Sequence, residues 1–212
     1  KTSFLLCVAN NLCQRGIKVL MLSTEMSCDS LYDRISKIGS EHESNFDEFH
    51  KEFENYNFVV CDMFQPEIES VRKALEEVKP DVLIFDHIQH IGSGNLNEVK
   101  TISDFTRGLK NLSMVYNCAV MVASQLNRPQ QAINFKSGET MYSKPSLSNL
   151  KGCGTIEEES AFVLLLYPNG SNLDGPNTPL ITAELVKNRF GANIVVDFVF
   201  NKPISKFKEF TN

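Results

Sequence analysis

Residues 82–86 have the sequence Val-Leu-Ile-Phe-Asp. Four consecutive apolar residues are typical of a strand that is covered on both faces, as the strands of a parallel sheet are. Pro80 precedes the run and Asp86 ends it. Open parallel sheets bind their ligands at the carboxyl ends of the strands. The stretch therefore predicts a buried strand that ends in a ligand-facing carboxylate.

The same pattern recurs on both sides of this stretch. Residues 19–23, 58–61 and 119–123 are short apolar runs, and segments with apolar residues at helical spacing separate them. The helical segments are marked by Phe4, Leu5, Val8 and Leu12, by Leu31, Ile35 and Ile38, by Phe46, Phe49 and Phe53, by Ile68, Val71, Leu75 and Val78, and by Ile102, Phe105, Leu109 and Leu112. Gly16 is a suitable stop for the first helix. This alternation predicts an α/β fold with a mainly parallel sheet flanked by helices.

The C-terminal part of the chain has a different pattern. Residues 162–166, 180–186 and 194–200 predict three final, antiparallel strands, with a loop over residues 170–179 between the first two. Ahead of them, residues 128–146 are polar and include Gly138, Pro129 and Pro145, which predicts a mobile loop. Because no linker, second core or internal repeat is evident, we expect a single domain over residues 1–212.

The composition restricts the class of protein. The formal net charge is −5, so a surface covered in Lys and Arg is excluded and any contact with nucleic acid must be local. The six cysteines are scattered through apolar runs, without the paired spacing of a zinc site or of a secreted disulfide framework. We interpret them as reduced core residues of a cytosolic protein. No segment resembles a signal peptide or a membrane span.

Three predicted strands end in polar residues that suit phosphate chemistry. Asp86 could hold Mg²⁺ directly or through water, although an Asp that starts a turn would give the same pattern. Glu25 follows the strand at residues 19–23 and could activate a water molecule, but an acid in the first turn of a helix is equally consistent. Gln125 follows Ser124 and could sense a γ-phosphate, or could be an ordinary polar strand end.

Both ends of the chain carry basic residues that suit the same chemistry. Lys1, Thr2 and Ser3 lead into an amphipathic helix and match the last residues of the phosphate-binding sequence G-x-x-x-x-G-K-[ST]. The glycines of that sequence and its preceding strand are not among the residues given, so we expect an incomplete nucleotide site and weak ATP binding for these residues by themselves. Lys187 and Arg189 stand two apart on a predicted strand and should point to one face. That face is either solvated or directed at the nucleotide of a neighbouring subunit.

Taken in chain order, six short segments resemble the successive motifs of DnaB-type replicative helicases. They are Lys1-Thr2, Ser23-Thr24-Glu25-Met26-Ser27, Ile84-Phe85-Asp86-His87-Ile88-Gln89, Ser124-Gln125-Leu126-Asn127-Arg128, Asn149-Leu150-Lys151-Gly152-Cys153-Gly154-Thr155-Ile156-Glu157 and Lys187-Asn188-Arg189-Phe190-Gly191. The resemblance spans nearly the whole chain, and its most specific parts are Ser-Gln-Leu-Asn-Arg and the order of the motifs. It implies the motor domain of a ring-forming DNA helicase with a RecA-like P-loop NTPase core.

The resemblance also implies a role for each matching residue. Lys1 would bind the β- and γ-phosphates of ATP, Thr2 and Asp86 would ligate Mg²⁺, Glu25 would be the catalytic base and Gln125 the γ-phosphate sensor. Lys187 and Arg189 would act in trans on the adjacent subunit. Lys151, Gly152, Cys153 and Gly154, together with Arg128, would contact single-stranded DNA. The implied partners are single-stranded DNA, further copies of the chain in a hexameric ring, and a primase or a helicase loader.

Several residues depart from the bacterial pattern of this family. His87 stands where bacterial members usually have Tyr, Lys151 where they have Arg, Gly152 where they have Glu, and Phe190 where they have a polar residue. His87, Gly152 and Phe190 are closer to phage primase-helicases and to the related mitochondrial helicase. We interpret His87 as a partly buried core histidine. A RecA-like recombinase, an accessory DNA-dependent ATPase and a non-hydrolysing DNA-binding ring protein remain alternative functions.

Overall fold

A computed structural model of the chain describes residues 1–39, 56–91, 94, 97–126, 131–133, 140–142, 144–150 and 154–211. The helices are α1 (Thr2–Cys13), α2 (Cys28–Gly39), α3 (Ile68–Val78), α4 (Glu98–Val115) and α5 (Gly154–Glu159). The strands are β1 (Val19–Ser23), β2 (Phe58–Asp62), β3 (Val82–Asp86), β4 (Ala119–Val122), β5 (Gln131–Ile133), β6 (Thr140–Tyr142), β7 (Phe162–Asn172), β8 (Pro179–Asn188), β9 (Val195–Asn201) and β10 (Lys206–Glu209). Short 3₁₀ turns cover Ile88–Ile91 and Leu147–Asn149.

The first four strands form a parallel sheet in the order β2-β1-β3-β4. Side chains of a strand alternate between its two faces, so each strand supplies both of the cores that flank the sheet. On β1, Leu20 and Leu22 pack towards α3 and α4, while Met21 packs towards α1 and α2. All of β1 and nearly all of β3 are buried, which confirms the prediction of central strands with helices on both faces.

The first helix begins beside the parallel sheet and ends where the sequence predicted. Leu5, Leu6 and Ala9 are buried on its inner face. The chain leaves the helix at Cys13 and turns at Gly16, whose φ of 78° lies in the left-handed region that glycine adopts without strain. The turn leads the chain into β1.

Among the described residues, no helix is both long and apolar enough to cross a membrane.

The remaining long strands form an antiparallel sheet in the order β10-β9-β8-β7. The prediction of three final strands was wrong by one, because β10 at Lys206–Glu209 is short and mostly charged and lacks a recognisable apolar run. Its one aromatic residue, Phe207, supplies the packing, since its ring centroid lies 5.4 Å from that of Phe4 in α1. Tertiary contact therefore decides the presence of this strand.

Two predicted loops and one predicted helix need separate mention. The loop expected at residues 170–179 is shorter, because β7 continues to Asn172 past an irregularity near Pro168. The region predicted as a loop at residues 128–146 contains the antiparallel pair β5 and β6, so that prediction was wrong for these residues. Three-residue strands are too short to show a period in the sequence. The helix predicted around Phe46, Phe49 and Phe53 lies outside the described residues.

Candidate active site

The carboxyl ends of the parallel strands lie side by side. The strand register pairs Ser23 with Asp86, so the residues that follow β1 and β3 are neighbours. The Thr24 backbone N–H donates to the carbonyl of Asp86 over 2.8 Å, and the His87 N–H donates to the Thr24 hydroxyl over 3.1 Å. On the other side of β3, the Ile88 N–H donates to the Ala123 carbonyl over 3.1 Å. These bonds fix three strand ends to one another.

The start of α1 meets this edge of the sheet at Asp86. The Thr2 hydroxyl donates to Asp86 Oδ2 over 2.6 Å, although the two residues are 84 positions apart in the chain. Asp86 is almost completely buried, and its Oδ1 has no hydrogen-bond partner among the described residues. A buried carboxylate oxygen without a partner is costly, which indicates that a ligand completes this position. A hydroxyl and a carboxylate are hard oxygen donors of the kind that Mg²⁺ prefers.

Mg²⁺ usually takes one or two carboxylates, with phosphate and water filling the other positions. Consistently, the described part of the chain contains no cluster of three or more His, Cys, Asp or Glu side chains that would hold a metal alone. Thr2 and Asp86 therefore fit a metal that arrives with a phosphate ligand better than a metal enclosed entirely by protein.

Lys1 lies within electrostatic range of both candidate carboxylates. Desolvation by the surrounding protein lowers the pKa of its side chain, whereas the charges of Asp86 and Glu25 raise it. Burial therefore outweighs the two carboxylates, although both of them interact with the charge of Lys1. The structure thus brings Lys1, Thr2, Glu25 and Asp86 together at one edge of the parallel sheet.

Glu25 faces a buried histidine. Its Oε2 lies 3.5 Å from His87 Nε2, and its side chain is half exposed while that of His87 is buried. Burial is the main cause that lowers the pKa of His87, with smaller contributions from Lys1 and His90, and the charges of Glu25 and Asp86 oppose it. His87 is buried, as we interpreted it from the sequence, but it also contacts the candidate base.

Gln125 is held at the same edge through its backbone. Its N–H donates to Gln89 Oε1 over 2.9 Å, and Gln89 Nε2 donates to the Ser124 hydroxyl over 2.7 Å. The Gln125 side chain itself is exposed, as a residue that reads a ligand must be. Sequence analysis assigned no role to Gln89 or Ser124. The signal available in the sequence was the position of Gln89 between Ile88 and Ile91. The structure shows both isoleucines to be buried.

Lys187 and Arg189 lie apart from these residues. The Lys187 ammonium group donates to the Glu157 carbonyl, and the Arg189 guanidinium donates to the Glu158 carbonyl over 2.6 Å. Both side chains therefore point to the end of α5, which agrees with the predicted common face, although β8 ends one residue before Arg189. Within the described ranges, neither side chain forms a hydrogen bond or an ion pair with Glu25 or Asp86.

Comparison with known proteins decides the family. The model of the DnaB-like helicase C-terminal domain matches residues 1–209 of the chain. The chain belongs to this family. Similar curated proteins include a probable replicative DNA helicase of Trieres chinensis, which is 24% identical over 99% of the chain and 50% of its own length. The replicative DNA helicase DnaB of Geobacillus stearothermophilus is 25% identical over 98% of the chain and 49% of its own length.

Solved structures show the same fold. A DnaB-like replicative helicase, studied with its interactions with primase, gives a TM-score of 0.80 at 20% identity over 97% of this chain and 53% of the other. A structure solved as a separate ATPase domain superimposes with a TM-score of 0.82 at 20% identity, covering the whole of this chain and 81% of the other. The chain spans about half the length of the curated helicases it matches.

Not all residues expected from the DnaB-like pattern can be placed. Lys151, Gly152, Cys153 and Arg128 lie outside the described residues. Gly154 is the first residue of α5 and is exposed. An added Cβ there would meet no atom of the described residues within 4 Å. The DNA contacts of this segment stay a prediction.

Proposed function

We propose that the chain is the ATP-hydrolysing motor of a replicative DNA helicase that moves along single-stranded DNA. The observation that carries the proposal is the contact between Thr2 and Asp86, which leaves one buried oxygen of Asp86 without a partner among the described residues, at the sheet edge that also carries Glu25. A phosphate loop, a buried acid and a nearby carboxylate are the parts that ATP hydrolysis requires. In the sequence G-x-x-x-x-G-K-[ST], the glycines of the loop stand before the lysine that Lys1 matches.

Each of the gathered side chains has a distinct task in this proposal. Lys1 binds the β- and γ-phosphates of ATP. Thr2 and Asp86 hold Mg²⁺, which when bound offsets the negative charge of the phosphates. Glu25 is half exposed and can accept a proton from the attacking water, since a carboxylate within hydrogen-bond reach of water is an effective general base. Gln125 presents its exposed amide to the γ-phosphate or to that water.

Lys187 and Arg189 act on the nucleotide of a neighbouring protomer in this proposal. Their contacts with the end of α5 hold both side chains in place, while Arg189 stays exposed. Beside them lies a surface that we call the apolar patch, formed by Phe162, Leu164, Phe190 and Ile194, all more than two-fifths exposed. The rings of Phe162 and Phe190 lie 5.6 Å apart. Large exposed apolar groups around a fixed arginine fit a surface covered by another protomer, and we propose a hexameric ring.

The segment at residues 151–154, together with Arg128, would contact the backbone of single-stranded DNA. Lys151 supplies positive charge, and glycine lets the backbone approach phosphate closely. Such contacts do not depend on base sequence, which suits a motor that moves along DNA. Because α5 begins at Gly154 and its end contacts Lys187 and Arg189, the helix joins the proposed DNA segment to the residues that act in trans. A primase or a helicase loader would be a further partner of the complete protein.

The test uses the complete protein, with forked DNA and with single-stranded DNA. We expect single-stranded DNA to stimulate ATP hydrolysis and strand separation to require ATP. We expect Glu25→Gln to leave only a slow residual hydrolysis and no strand separation, while ATP still binds. Mass measurement in solution with ATP and Mg²⁺ should give a hexamer. ATP turnover that ignores DNA, together with no strand separation, would refute the helicase proposal. Strand exchange on an open filament would favour a recombinase, and nucleotide binding without turnover would favour a DNA-binding ring protein.

A further inference from the structure

Gln89 is a buried amide close to the candidate active site. It lies in the 3₁₀ turn that follows β3, and only 6% of its surface is exposed. A buried amide costs free energy unless its donors and acceptors find partners. Three contacts of Gln89 go to two places, the turn that carries His87 and the end of β4 that carries Ser124 and Gln125.

The partners determine the orientation of the amide. The Gln125 backbone N–H can only donate, so the Gln89 atom 2.9 Å away must be the carbonyl oxygen. The amide nitrogen then faces Ser124 Oγ at 2.7 Å and donates to it. A carbonyl oxygen has two lone pairs, and the second faces His87 Nδ1 at 3.2 Å. Three contacts thus define one arrangement of this side chain.

This arrangement in turn fixes the histidine ring. Because the Gln89 oxygen can only accept, His87 must donate from Nδ1, and its Nε2 is therefore the atom turned towards Glu25. The ring also stacks against His90, with centroids 4.1 Å apart, so rotation away from this position would break both contacts. His87 thereby forms one wall of the space occupied by the Glu25 side chain.

The Glu25 side chain is half exposed and the Gln125 side chain is exposed. Their separation depends on the groups behind them, and Gln89 contacts one group on each side, His87 behind Glu25 and the backbone of Gln125. A displacement of about 1 Å in an active site can reduce a rate by about 10²-fold. The geometry of the candidate base and of the candidate sensor therefore depends on this amide.

We propose that Gln89 is a positioning residue that sets the distance between Glu25 and Gln125 through its contacts with His87, Ser124 and the Gln125 backbone. The proposal rests on the proposed hydrolysis of ATP. Within the part of the chain that the structure describes, the hydrogen bonds of Gln89 go to these strand ends and not to Lys1 or Thr2. Gln89 should therefore govern the chemical step and not the capture of nucleotide.

The first test replaces Gln89 in the complete protein by Met, which has a similar length and lacks the three polar contacts. We expect kcat for DNA-stimulated ATP hydrolysis to fall about 10²-fold, with KM for ATP changed by less than about 3-fold. Gln89→Asn is a second variant, in case the first does not fold. It keeps an amide but shortens the side chain by one carbon, so it cannot reach both strand ends, and kcat should again fall while KM is kept.

The matched control is Thr106→Val in α4. Thr106 is also buried and loses a single hydrogen bond, which goes to the Ile102 carbonyl at 2.7 Å and stays within its own helix. It should lower the melting temperature and leave kcat within about 2-fold, because a lost buried hydrogen bond affects stability without moving the site. Equal losses of kcat in this control and in Gln89→Met would overturn the proposal.

A double-substitution cycle separates positioning from general damage. If Gln89 acts through Glu25 and Gln125, then Gln89→Met should reduce the residual single-turnover rate of a variant that carries both Glu25→Gln and Gln125→Ala by less than about 3-fold, because residues that act as one unit are not additive. A full further loss of about 10²-fold would show an independent effect and overturn the proposal. The proposal would also be overturned if the wild-type protein hydrolyses ATP and the Gln89→Met variant has the same kcat. Wild-type protein without ATP hydrolysis would instead overturn the proposed function on which it rests.

Discussion

The two sheets of this molecule place their functional residues in opposite ways. The parallel sheet is covered on both faces, and residues at its carboxyl edge are bonded to one another, as Thr2 is to Asp86 and Gln89 to Gln125. The antiparallel sheet leaves large apolar side chains on its surface and holds Lys187 and Arg189 against the end of α5. Under the proposed function, the first sheet carries the nucleotide site of its own chain, and the second carries the surface that meets a neighbour.

The electrostatics of the two regions rest on different groups. Around the parallel sheet, burial is the main cause that lowers the pKa of His87. On the antiparallel sheet, hydrogen bonds from Lys144 and Tyr167 are the main cause that lowers the pKa of Glu184, whereas burial is the main cause that raises the pKa of Tyr167. Desolvation therefore acts in both regions, and hydrogen bonding to a charged partner dominates at Glu184. The experiments below test whether the two sheets separate catalysis within a chain from catalysis between chains.

The largest effect is expected for Arg189→Ala. ATP hydrolysis by the complete protein should fall about 10³- to 10⁵-fold, as it does when an arginine finger is removed, while the affinity for ATP stays within a few-fold. Arg72→Ala is the control, because Arg72 is exposed and pairs with Glu69 and Glu76 on α3, far from either site. Its effect on hydrolysis should be small.

Mixing decides whether Arg189 acts between chains. Subunits with Arg189→Ala keep their own Glu25, and subunits with Glu25→Gln keep Arg189. Mixed rings should therefore recover hydrolysis at the interfaces where an intact Glu25 meets an intact Arg189. If the Arg189→Ala subunit instead loses its own affinity for ATP while its neighbours turn over normally, Arg189 acts in cis. The two sheets would then not differ in the way proposed.

A stability experiment compares one leucine from each sheet. Leu20 in β1 is fully buried, whereas Leu164 in β7 is 43% exposed. Leu20→Ala should lower the free energy of unfolding by about 2–5 kcal/mol, through lost burial and the cavity left behind. Leu164→Ala should change it by about 0.5 kcal/mol or less in separated protomers, as is usual for surface positions. Urea unfolding under conditions that dissociate any ring measures both, and equal losses would show that Leu164 belongs to a closed core.

The smallest effect concerns the cysteines of α1. Burial raises the pKa of Cys13 to about 11, and burial is also the main cause that raises the pKa of Cys7. Because the thiolate is the reactive form, native Cys13 should be alkylated at pH 8 about 10²-fold more slowly than a free thiol, and the rate should rise about tenfold for each pH unit towards 11. Mass spectrometry after timed alkylation gives the rates for both residues.

The alkylation rates of Cys7 and Cys13 together test the stability of the contact between the two sheets. Cys13 packs within the parallel layer, whereas Cys7 Sγ contacts the Ser205 carbonyl, 3.8 Å away in the turn before β10. If the antiparallel sheet opens locally more often than the parallel one, Cys7 should react several-fold faster than Cys13. Faster reaction of Cys13 would contradict the view that the parallel layer is the more stable of the two.

The elements that were predicted well share one property. Strands β1 and β3 are continuous apolar runs because both of their faces are covered, so the sequence alone marks them. Strand β10 has no such run, and it depends on Phe207 meeting Phe4 and on Lys206 to Glu209 pairing with β9. A local pattern indicates what a segment can form, whereas a partner that is distant in the sequence decides whether a marginal segment forms it.

The sequence by itself determined where the main strands lie along the chain, which polar residues follow them and to which helicase family the chain belongs. These features are local, since apolar runs and short motifs are read within a few residues of one another. Only the tertiary structure decided which polar groups form hydrogen bonds with one another. Thr2 meets Asp86 across 84 positions and Gln89 meets Gln125 across 36, and no pattern along the chain specifies such a bond. Buried polar groups must find partners, so packing brings into the site a residue to which the sequence assigned no role, such as Gln89.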